Sequence, residues 1–274
     1  MILRKLKITW NNKKKNINRL RPYQYISLLF VLLLATGIYL YVSDYITIGW
    51  IIGFCIAYLV FLYFAVTQIQ WNYYVKSYNK GTHDKYIALT FDDGPNKETA
   101  AILDILKEQR VPATFFCIGM HVEANQMLVH RMYDEGHLIG NHSYYHTHSF
   151  DWMRSKKMLD EIQQCNNMVR QVVGRSPNLI RPPYGITNPN LARAIKRSGM
   201  VSIGWSLRSF DTMAKDRTQL KNRIINKLKG GDIVLLHDSM SITREILTDL
   251  IHEAREKGFT FVRVDQLLDV KPYA

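Results

Sequence analysis

The sequence predicts an α/β domain on a mostly parallel sheet, open or closed into a barrel, preceded by an N-terminal hairpin of two transmembrane helices. Two observations predict this architecture. Two uncharged apolar stretches lie near the start of the 274-residue chain, and beyond them short β-rich runs alternate with segments of helical periodicity. The composition, 47% hydrophobic and 22% charged, is that of a folded protein and excludes wholesale disorder.

The N-terminal segment is strongly basic. The chain has a formal net charge of +13, and residues 1–21 contain eight basic side chains and no acid. A nucleic-acid-binding signature such as a zinc-finger spacing does not accompany this run, so we expect no nucleic-acid partner. We interpret residues 1–21 as a basic cytoplasmic segment beside a membrane span.

Residues 22–67 are predicted to form the two transmembrane helices. Residues 22–43 contain no charge, and a helix needs about 20 such residues to cross the hydrocarbon core. After Asp44, residues 45–66 are again uncharged, so the two spans are joined by a very tight turn. The alternatives are a cleaved signal peptide for the first stretch and a buried core helix for the second.

The side of the membrane that the C-terminal domain faces is left open. The basic residues hold the N-terminus in the cytoplasm of a bacterial-type inner membrane, and an intact hairpin returns the chain to that side. If only one stretch spans, the domain lies outside. An even number of spans favours the cytoplasmic face for the C-terminal domain.

Residues 68–85 turn polar and are predicted to be a linker, followed by a domain over residues 86–270. The predicted strands cover residues 86–90, 113–118, 137–140, 179–181, 201–205, 233–236 and 259–264. Periodic segments between them predict helices near residues 97–110, 121–135, 152–173, 189–198, 217–229 and 242–257. Seven strands that alternate with helices imply a mostly parallel sheet.

Polar residues follow the first and third predicted strands. In such folds the chemistry gathers at the C-terminal ends of strands. Asp92 and Asp93 precede a Gly-Pro turn, and that pattern alone is more often a solvated turn than a site. His142 and His146 have the spacing that places two imidazoles on one face of a helical turn, as a shared metal needs, although surface positions are equally consistent with it. His148 is an alternative ligand.

Two further strands end in polar residues. The fourth predicted strand ends at Arg181, and the sixth runs into His237 and Asp238. An arginine, a histidine and two adjacent acids thus stand at the ends of different strands, together with two more histidines. We therefore predict a functional site at this edge of the sheet.

Four segments together resemble a known family. Residues 90–95, 142–146, 181–185 and 235–238, in this order, are similar to four of the five motifs of the NodB-homology polysaccharide deacetylases, the family-four carbohydrate esterases. The resemblance covers residues 86–270. It implies a distorted (β/α) barrel with about seven parallel strands, and a divalent metal, zinc, that assists hydrolysis of N-acetyl groups. The implied substrate is an N-acetylated glycan, such as peptidoglycan, a chitin-like polymer or an exported polysaccharide.

The resemblance also implies the roles of individual residues. The metal ligands would be Asp93, His142 and His146. Asp92 would be the general base on the attacking water, Arg181 would orient Asp92, and His237 would protonate the departing amine. The backbone N–H of Tyr184 would help bind the oxyanion, and Leu235 would line the pocket for the acetyl methyl group.

The remaining motif departs from the family pattern. The family usually shows Asp-x-x-Asp-Trp, whereas this chain reads Arg208-Ser209-Phe210-Asp211-Thr212. Asp211 matches the acid that holds and charges the catalytic histidine. Arg208 and Thr212 replace the outer Asp and the groove-lining Trp, so the shape of the substrate is left open, whereas the reaction is not. Trp205 or Phe210 would supply another stacking surface.

Two other functions are consistent with the sequence. The hairpin orientation favours a deacetylase or deformylase that acts on a lipid-linked sugar at the cytoplasmic face. A catalytically inactive, membrane-bound glycan-binding protein would lack a base, an acid or a ligand, and all of them are present. In each reading the partners are the glycan and the lipid bilayer, and the sequence leaves the oligomeric state open.

Overall fold

The computed structural model describes residues 21–274, and the chain divides after residue 59 into two units. Helix α1, Pro22–Val42, and most of α2, Ile48–Thr67, belong to the first unit. Within it, the ring of Phe30 stacks on that of Phe54 with centroids 5.1 Å apart. Residues 1–20, which carry most of the predicted basic segment, lie outside the described residues.

Both N-terminal helices are long and apolar enough to cross a membrane, and each has a mean hydropathy of 2.2. Ala65 is the one buried side chain among the residues of α1 and α2. A helix that belongs to a soluble core buries at least one face. The structure therefore gives no support to the core-helix alternative for the second stretch. A signal sequence near the N-terminus meets the same criteria of length and composition.

The second unit is a curled, barrel-like α/β domain. Its strands are β1 Ser77–Tyr78, β2 Tyr86–Gly94, β3 Thr114–Cys117, β4 Leu138–Asn141, β5 Leu179–Ile180, β6 Val201–Ile203, β7 Leu207–Arg208, β8 Ile233–His237 and β9 Thr260–Phe261. The strand order is β1-β6-β5-β4-β3-β2-β8-β7, and β9 pairs with β2. Every described strand pair is parallel, as the alternation predicts.

Helices connect the strands. They are α3 Thr99–Glu108, α4 Gly119–Ala124, α5 Gln126–Asp134, α6 Ser155–Val173, α7 Pro189–Ser198, α8 Arg217–Lys227, α9 Ser241–Glu256 and α10 Val264–Leu268. The predicted helix near residues 121–135 is divided at Asn125 into α4 and α5. The other predicted helices each correspond to one helix of the structure.

The structure differs from the sequence prediction at β1 and β7. Each has two residues, which is too short to show the alternation that identifies a strand. β1 lies in residues 68–85, predicted as a linker, and pairs with β6 at the edge of the sheet. The same segment buries Ile69 and Val75. It therefore packs as part of the domain.

Alternation along β2 separates two apolar layers. Ile87, Leu89 and Phe91 pack against the surrounding helices, in a cluster that includes residues of α3 and α9. Ala88 faces the other way, into a second cluster inside the curled sheet. Because side chains alternate along a strand, Thr90 and Asp92 share the inner face with Ala88. The end of β2 thus directs a carboxylate into the interior.

The end of α2 is bonded to two loops of the domain. The backbone N–H of Thr187, in the loop after β5, donates to the carbonyl of Val66 at 2.9 Å. The side-chain amide of Gln70 donates to the carbonyl of Trp205, in the loop after β6, at 3.1 Å. Ile69 is 1% exposed and packs in the inner cluster with Trp205. The chain therefore leaves α2 already fixed to these loops.

One buried histidine gives the domain a titratable core position. The backbone N–H of Ala113 donates to Nδ1 of His137 at 3.1 Å, and the ring packs edge-on against Phe115. Burial lowers the pKa of His137 from 6.5 to about 4, although the charge of Glu135 opposes the shift. The ring is therefore neutral in the folded protein at pH values where the unfolded chain is protonated.

We expect the free energy of unfolding to fall by about 3 kcal/mol as the pH drops from 6.5 to 4, because the unfolded state binds a proton that the folded state excludes. His137→Asn keeps an acceptor for the Ala113 N–H and does not titrate, so it should remove this part of the pH dependence. Urea unfolding of both proteins at pH 7 and pH 5 measures the difference. His252→Asn, on the exposed face of α9, is the control, and an equal change in both variants would contradict the assignment.

Candidate functional site

Two consecutive carboxylates line one cleft at the end of β2. Successive side chains of a regular strand point to opposite faces, so Asp92 and Asp93 would normally diverge. Asp93 has a left-handed φ of 72°, and the pairing with β3 shifts register between Asp92 and Gly94. Both carboxylates consequently line the same cavity. Asp92 also lies opposite His237 in the register of β2 with β8.

The two histidines after β4 lie in a loop, and the helical turn expected from their spacing is absent from this part of the described chain. Ser143 and His146 have left-handed φ values of 64° and 51°. Buried Glu161 of α6 accepts the backbone N–H groups of Tyr144 and Tyr145 at 3.1 and 2.9 Å. The loop, fastened by Glu161, brings the imidazoles together as a helix was expected to do.

Asp93, His142 and His146 form a compact cluster, in which one ligand atom from each lies within 4.8 Å of the others. A carboxylate oxygen of Asp93 is 3.5 Å from Nε2 of both histidines. Nδ1–H of His142 donates to the carbonyl of Arg181 at 2.8 Å, so Nε2 is the ring nitrogen that faces the Asp93 carboxylate. Buried Nε2 of His146 has no hydrogen-bond partner among residues 21–274. These donors fit a divalent metal.

Electrostatics keep one imidazole of the cluster neutral. Burial and the neighbouring charge of His142 lower the pKa of His146 to about 3, so one nitrogen of its ring keeps an available lone pair at neutral pH. Burial also raises the pKa of Asp93, but the hydrogen bond and charge of His142, with the charges of His146 and His237, outweigh burial and hold that pKa far below its usual range. Asp93 and His146 are therefore both in their ligating forms. Burial lowers the pKa of His142, but the charges of Asp92 and Asp93 and the hydrogen bond to Asp93 outweigh burial and raise it, so a bound cation would take the place of the Nε2 proton.

Arg181 is fully buried and fixes Asp92. Its Nη1 donates to Oδ1 of Asp92 and to Oγ1 of Thr90, each at 2.8 Å, and its Nη2 donates to the carbonyl of Gly204. The guanidinium lies 4.2 Å above the ring of Phe116. Burial lowers the pKa of Arg181, and the charge of Asp92 opposes the shift. Removal of either partner would leave a buried charge unpaired.

His237 and Asp211 form a second pair across the cleft. Nδ1–H of His237 donates to Oδ1 of Asp211 at 2.8 Å, and Oδ2 of Asp211 accepts from the backbone N–H of His237 and from Thr243. Burial alone lowers the pKa of His237, but the hydrogen bond and charge of Asp211, with the charges of Asp92 and Asp93, raise it to about 9. His237 is therefore protonated at neutral pH.

Asp211 is in turn held in its charged form. Burial raises its pKa, but the hydrogen bonds and charge of His237 and the hydroxyl of Thr243 outweigh burial and lower the pKa below its usual value. The pair therefore consists of a carboxylate and an imidazolium at neutral pH.

The cleft has a volume of about 210 Å³. Leu235 lies in its wall, two residues before His237. Tyr184 has a left-handed φ of 56°, and next to it Gly185 approaches Trp205 so closely that an added Cβ would lie 2.2 Å from the ring. Trp205 lines the cleft, whereas Phe210 lines a separate cavity. Arg208 and Thr212 also line the cleft.

The nine candidate residues of the sequence analysis come together at this edge of the sheet. Arg181 and Asp211 lie behind the cleft, and the others line it: Asp92, Asp93, His142, His146, Tyr184, Leu235 and His237. His148 is outside the three-residue cluster, and its Nδ1 lies 3.2 Å from the hydroxyl of Tyr184.

Sequence reasoning missed three supporting residues: Thr90, Glu161 and Thr243. Glu161 could have been recognised from the sequence, because it is an acidic residue on the apolar face of α6 between Met158 and Ile162. The ring of His121, in α4, bonds through Nδ1 to the carbonyl of Asp93 at 2.8 Å.

Comparison with known proteins gives consistent matches. The family model described as polysaccharide deacetylase matches residues 79–203. The chain is 35% identical over 196 residues to the peptidoglycan-N-acetylmuramic acid deacetylase PdaA of Bacillus subtilis, which covers 70% of this chain and 74% of PdaA. It is 34% identical over 195 residues to a peptidoglycan-N-acetylglucosamine deacetylase of Bacillus cereus, with coverages of 69% and 91%.

Solved structures agree with the sequence matches. The crystal structure of the Bc1960 peptidoglycan N-acetylglucosamine deacetylase superposes with a TM-score of 0.68 at 28% identity. The match covers 72% of this chain and 94% of that one. The similarity therefore extends over nearly the whole of that domain.

Proposed function

Because the chain belongs to the polysaccharide deacetylase family, carbohydrate esterase family four, we propose that it is a membrane-anchored, metal-dependent hydrolase that removes N-acetyl groups from N-acetylated glycans. The observation that carries the proposal is one cleft that holds a carboxylate–histidine–histidine cluster between an arginine-held aspartate and an aspartate-held histidine. The relatives named above act on peptidoglycan.

The metal would be held by Asp93, His142 and His146, and we propose zinc. The fit rests on Nε2 of His142 and Nε2 of His146, both 3.5 Å from the Asp93 carboxylate, and the second of these is buried without a hydrogen-bond partner among residues 21–274. When bound there, such an ion polarises an amide carbonyl and lowers the pKa of a water molecule. The proton transfers of the reaction are assigned to side chains of the protein.

Asp92 is the proposed general base. Its Oδ1 is occupied by Arg181, and its other oxygen, Oδ2, lies 3.8 Å from Nε2 of His142, beside the ligand cluster. A water molecule in this space gives its proton to Asp92 as its oxygen attacks the acetyl carbonyl. Arg181 holds the carboxylate in place, because its own side chain is immobilised by Thr90 and Gly204.

His237 is the proposed general acid. Collapse of the tetrahedral intermediate breaks the bond between the acetyl carbon and the sugar nitrogen, and the nitrogen takes a proton from Nε2 of His237. Asp211 binds Nδ1–H, so Nε2 is the nitrogen directed to the cleft. The products are acetate and a free amine on the sugar.

Two groups would position the acetyl group. The backbone N–H of Tyr184, in its left-handed conformation, is proposed to donate to the developing oxyanion. Leu235, in the wall of the cleft, would contact the methyl group. A small apolar surface at this point favours acetyl over larger acyl groups.

Residues 22–67 are the proposed membrane anchor. Support comes from the hydropathy and exposure of α1 and α2, and from the eight basic residues that precede them. We propose an inner-membrane protein with residues 1–21 in the cytoplasm, and the even number of spans favours the same side for the domain. Reporter fusions after residue 80 and at the C-terminus test this: activity of a periplasmic reporter at either position would overturn the cytoplasmic placement.

The full-length protein in detergent, supplied with zinc, is expected to release acetate from N-acetylglucosamine oligomers or from peptidoglycan fragments. Treatment with a chelator should stop the release, and zinc should restore it. A lipid-linked N-acetylated or N-formylated sugar added to the panel tests the alternative substrate. If no substrate of the panel loses an acyl group, the proposed function is wrong, and an inactive glycan-binding protein becomes the better account.

A further inference from the structure

Arg208 places an uncompensated cation in the cleft. Its side chain is exposed and lines the cavity together with Asp92, His142 and His237. Within residues 21–274 its guanidinium makes no ion pair and no hydrogen bond. Its close neighbours are two aromatic rings, Phe210 at 4.8 Å and Trp205 at 6.0 Å. Its N–H donors therefore remain available to a ligand.

The strand pairing fixes where this cation lies. β7 pairs with β8 so that Arg208 is opposite Leu235, the residue proposed to contact the acetyl methyl group. His237, the proposed acid, is two residues further along β8. Neighbouring strands lie about 5 Å apart. The side chain of Arg208 thus lines the part of the cleft beside Leu235 and His237, where the atoms around the reacting amide would lie.

The chemistry of the sugar defines what can lie there. In a 2-acetamido sugar the amide is on C2, and the substituents of C1 and C3 are its immediate neighbours. A carboxylate on an O3 ether or a phosphate on O1 would bring an oxyanion next to the scissile amide. Arginine is the side chain best suited to bind either group in a bidentate manner.

We propose that Arg208 binds an anionic substituent on the sugar that carries the scissile N-acetyl group, and that the protein therefore prefers anionic glycans to neutral ones. The inference rests on the proposed function and extends it to the substrate class. Arg208 is a specificity residue in this account, because it contacts a group beside the reacting atoms and takes no part in the proton transfers.

A purely structural role for Arg208 can be separated by a matched variant. Arg223 lies 4.0 Å from the ring of Phe210, as Arg208 does at 4.8 Å, but Arg223 lines the separate cavity. Arg208→Gln and Arg223→Gln thus remove the same charge and a contact to the same ring. The difference between them is that Arg208 lines the catalytic cleft.

The test compares matched substrates with the full-length, zinc-loaded protein in detergent. One pair is a glycan that carries an O3-lactyl carboxylate and its methyl ester; the other is a glycan 1-phosphate and its dephosphorylated form. We expect wild type to prefer the charged member of at least one pair, and Arg208→Gln to lower kcat/KM for that member about 10- to 100-fold, chiefly through KM. The neutral members should change less than about threefold, and Arg223→Gln should retain the preference.

The outcome also identifies the anion. If Arg208→Gln loses the preference for the charged member of the lactyl pair, the anion is a carboxylate; if it loses the preference in the 1-phosphate pair, the anion is a phosphate. Equal losses on charged and neutral substrates, or equal effects of the two variants, would overturn the proposal. If wild type hydrolyses none of the four compounds, the proposed function fails separately. The charge preference is then read as the ratio of Kd values within each pair by calorimetry, and a ratio that Arg208→Gln leaves unchanged overturns the inference.

Discussion

His142→Ala is expected to remove the bound metal and to lower kcat/KM for deacetylation by at least about 10³-fold. The reason is geometric: Nδ1–H of His142 is held by the Arg181 carbonyl, and Nε2 is one of three donors within 4.8 Å. Loss of one donor from a three-residue set leaves two, which is too few to retain the ion against a chelator. An ion that polarises the carbonyl contributes several kcal/mol to the transition state.

Metal content by mass spectrometry, measured beside acetate release, tests this prediction. His252→Ala removes an imidazole from the exposed face of α9 and should leave both quantities unchanged. His148→Ala removes the alternative ligand of the sequence analysis and should leave the metal content at wild-type level. A His142→Ala protein that still binds one equivalent of zinc tightly would show that the ligand set is wrong.

Asp211→Asn is expected to lower kcat about 10²- to 10³-fold and to shift the pH profile. His237 must be protonated to act as the acid, and its pKa of about 9 keeps it so at neutral pH. Activity of the wild type should therefore fall as the pH rises through about 9. Without the Asp211 charge the pKa moves back toward 6.5, so the alkaline limb should move to lower pH. The amide can also donate to Nδ1 and favour the wrong tautomer.

The pH dependence of kcat separates this role from a structural one. A merely misfolded loop would lower kcat at every pH and leave the alkaline limb where it was. Asp216→Asn removes a carboxylate from the same loop, where Asp216 caps α8, and an asparagine caps equally well. Asp216→Asn should have the kcat of the wild type and an alkaline limb at the same pH. An unshifted limb in Asp211→Asn would refute the proposed acid.

The sequence predicted the residues of the site better than the backbone that holds them. Asp92, His142, Arg181 and His237 could be placed because each follows a strand whose run of apolar residues is recognisable. The cluster of the two histidines was expected from a helical spacing, whereas the structure forms it from a loop with left-handed residues. Left-handed backbone at non-glycine residues has only a weak sequence signal, an enrichment of Asn, Asp and His that does not say which of these residues adopt it.

Two-residue strands and hydrogen bonds between residues far apart in the chain could also not be predicted from the sequence. β1 and β7 have two residues each, and a period of two cannot be seen in so few positions. Glu161 acts on a loop 16 residues before it, and Thr243 acts on Asp211, 32 residues before it. Such bonds depend on how elements pack, which local patterns do not encode.

The bonds between the end of α2 and the loops of the cleft decide where a truncated form of the domain must begin. The backbone N–H of Thr187 donates to the carbonyl of Val66, Gln70 donates to the carbonyl of Trp205, and Val66 lines the same groove as Tyr184. These residues all belong to the second unit, which starts at Val60. A form that begins after residue 80 would lose both bonds and the packing of Ile69 against Trp205, so the loops that position Tyr184 and Trp205 would lose their support.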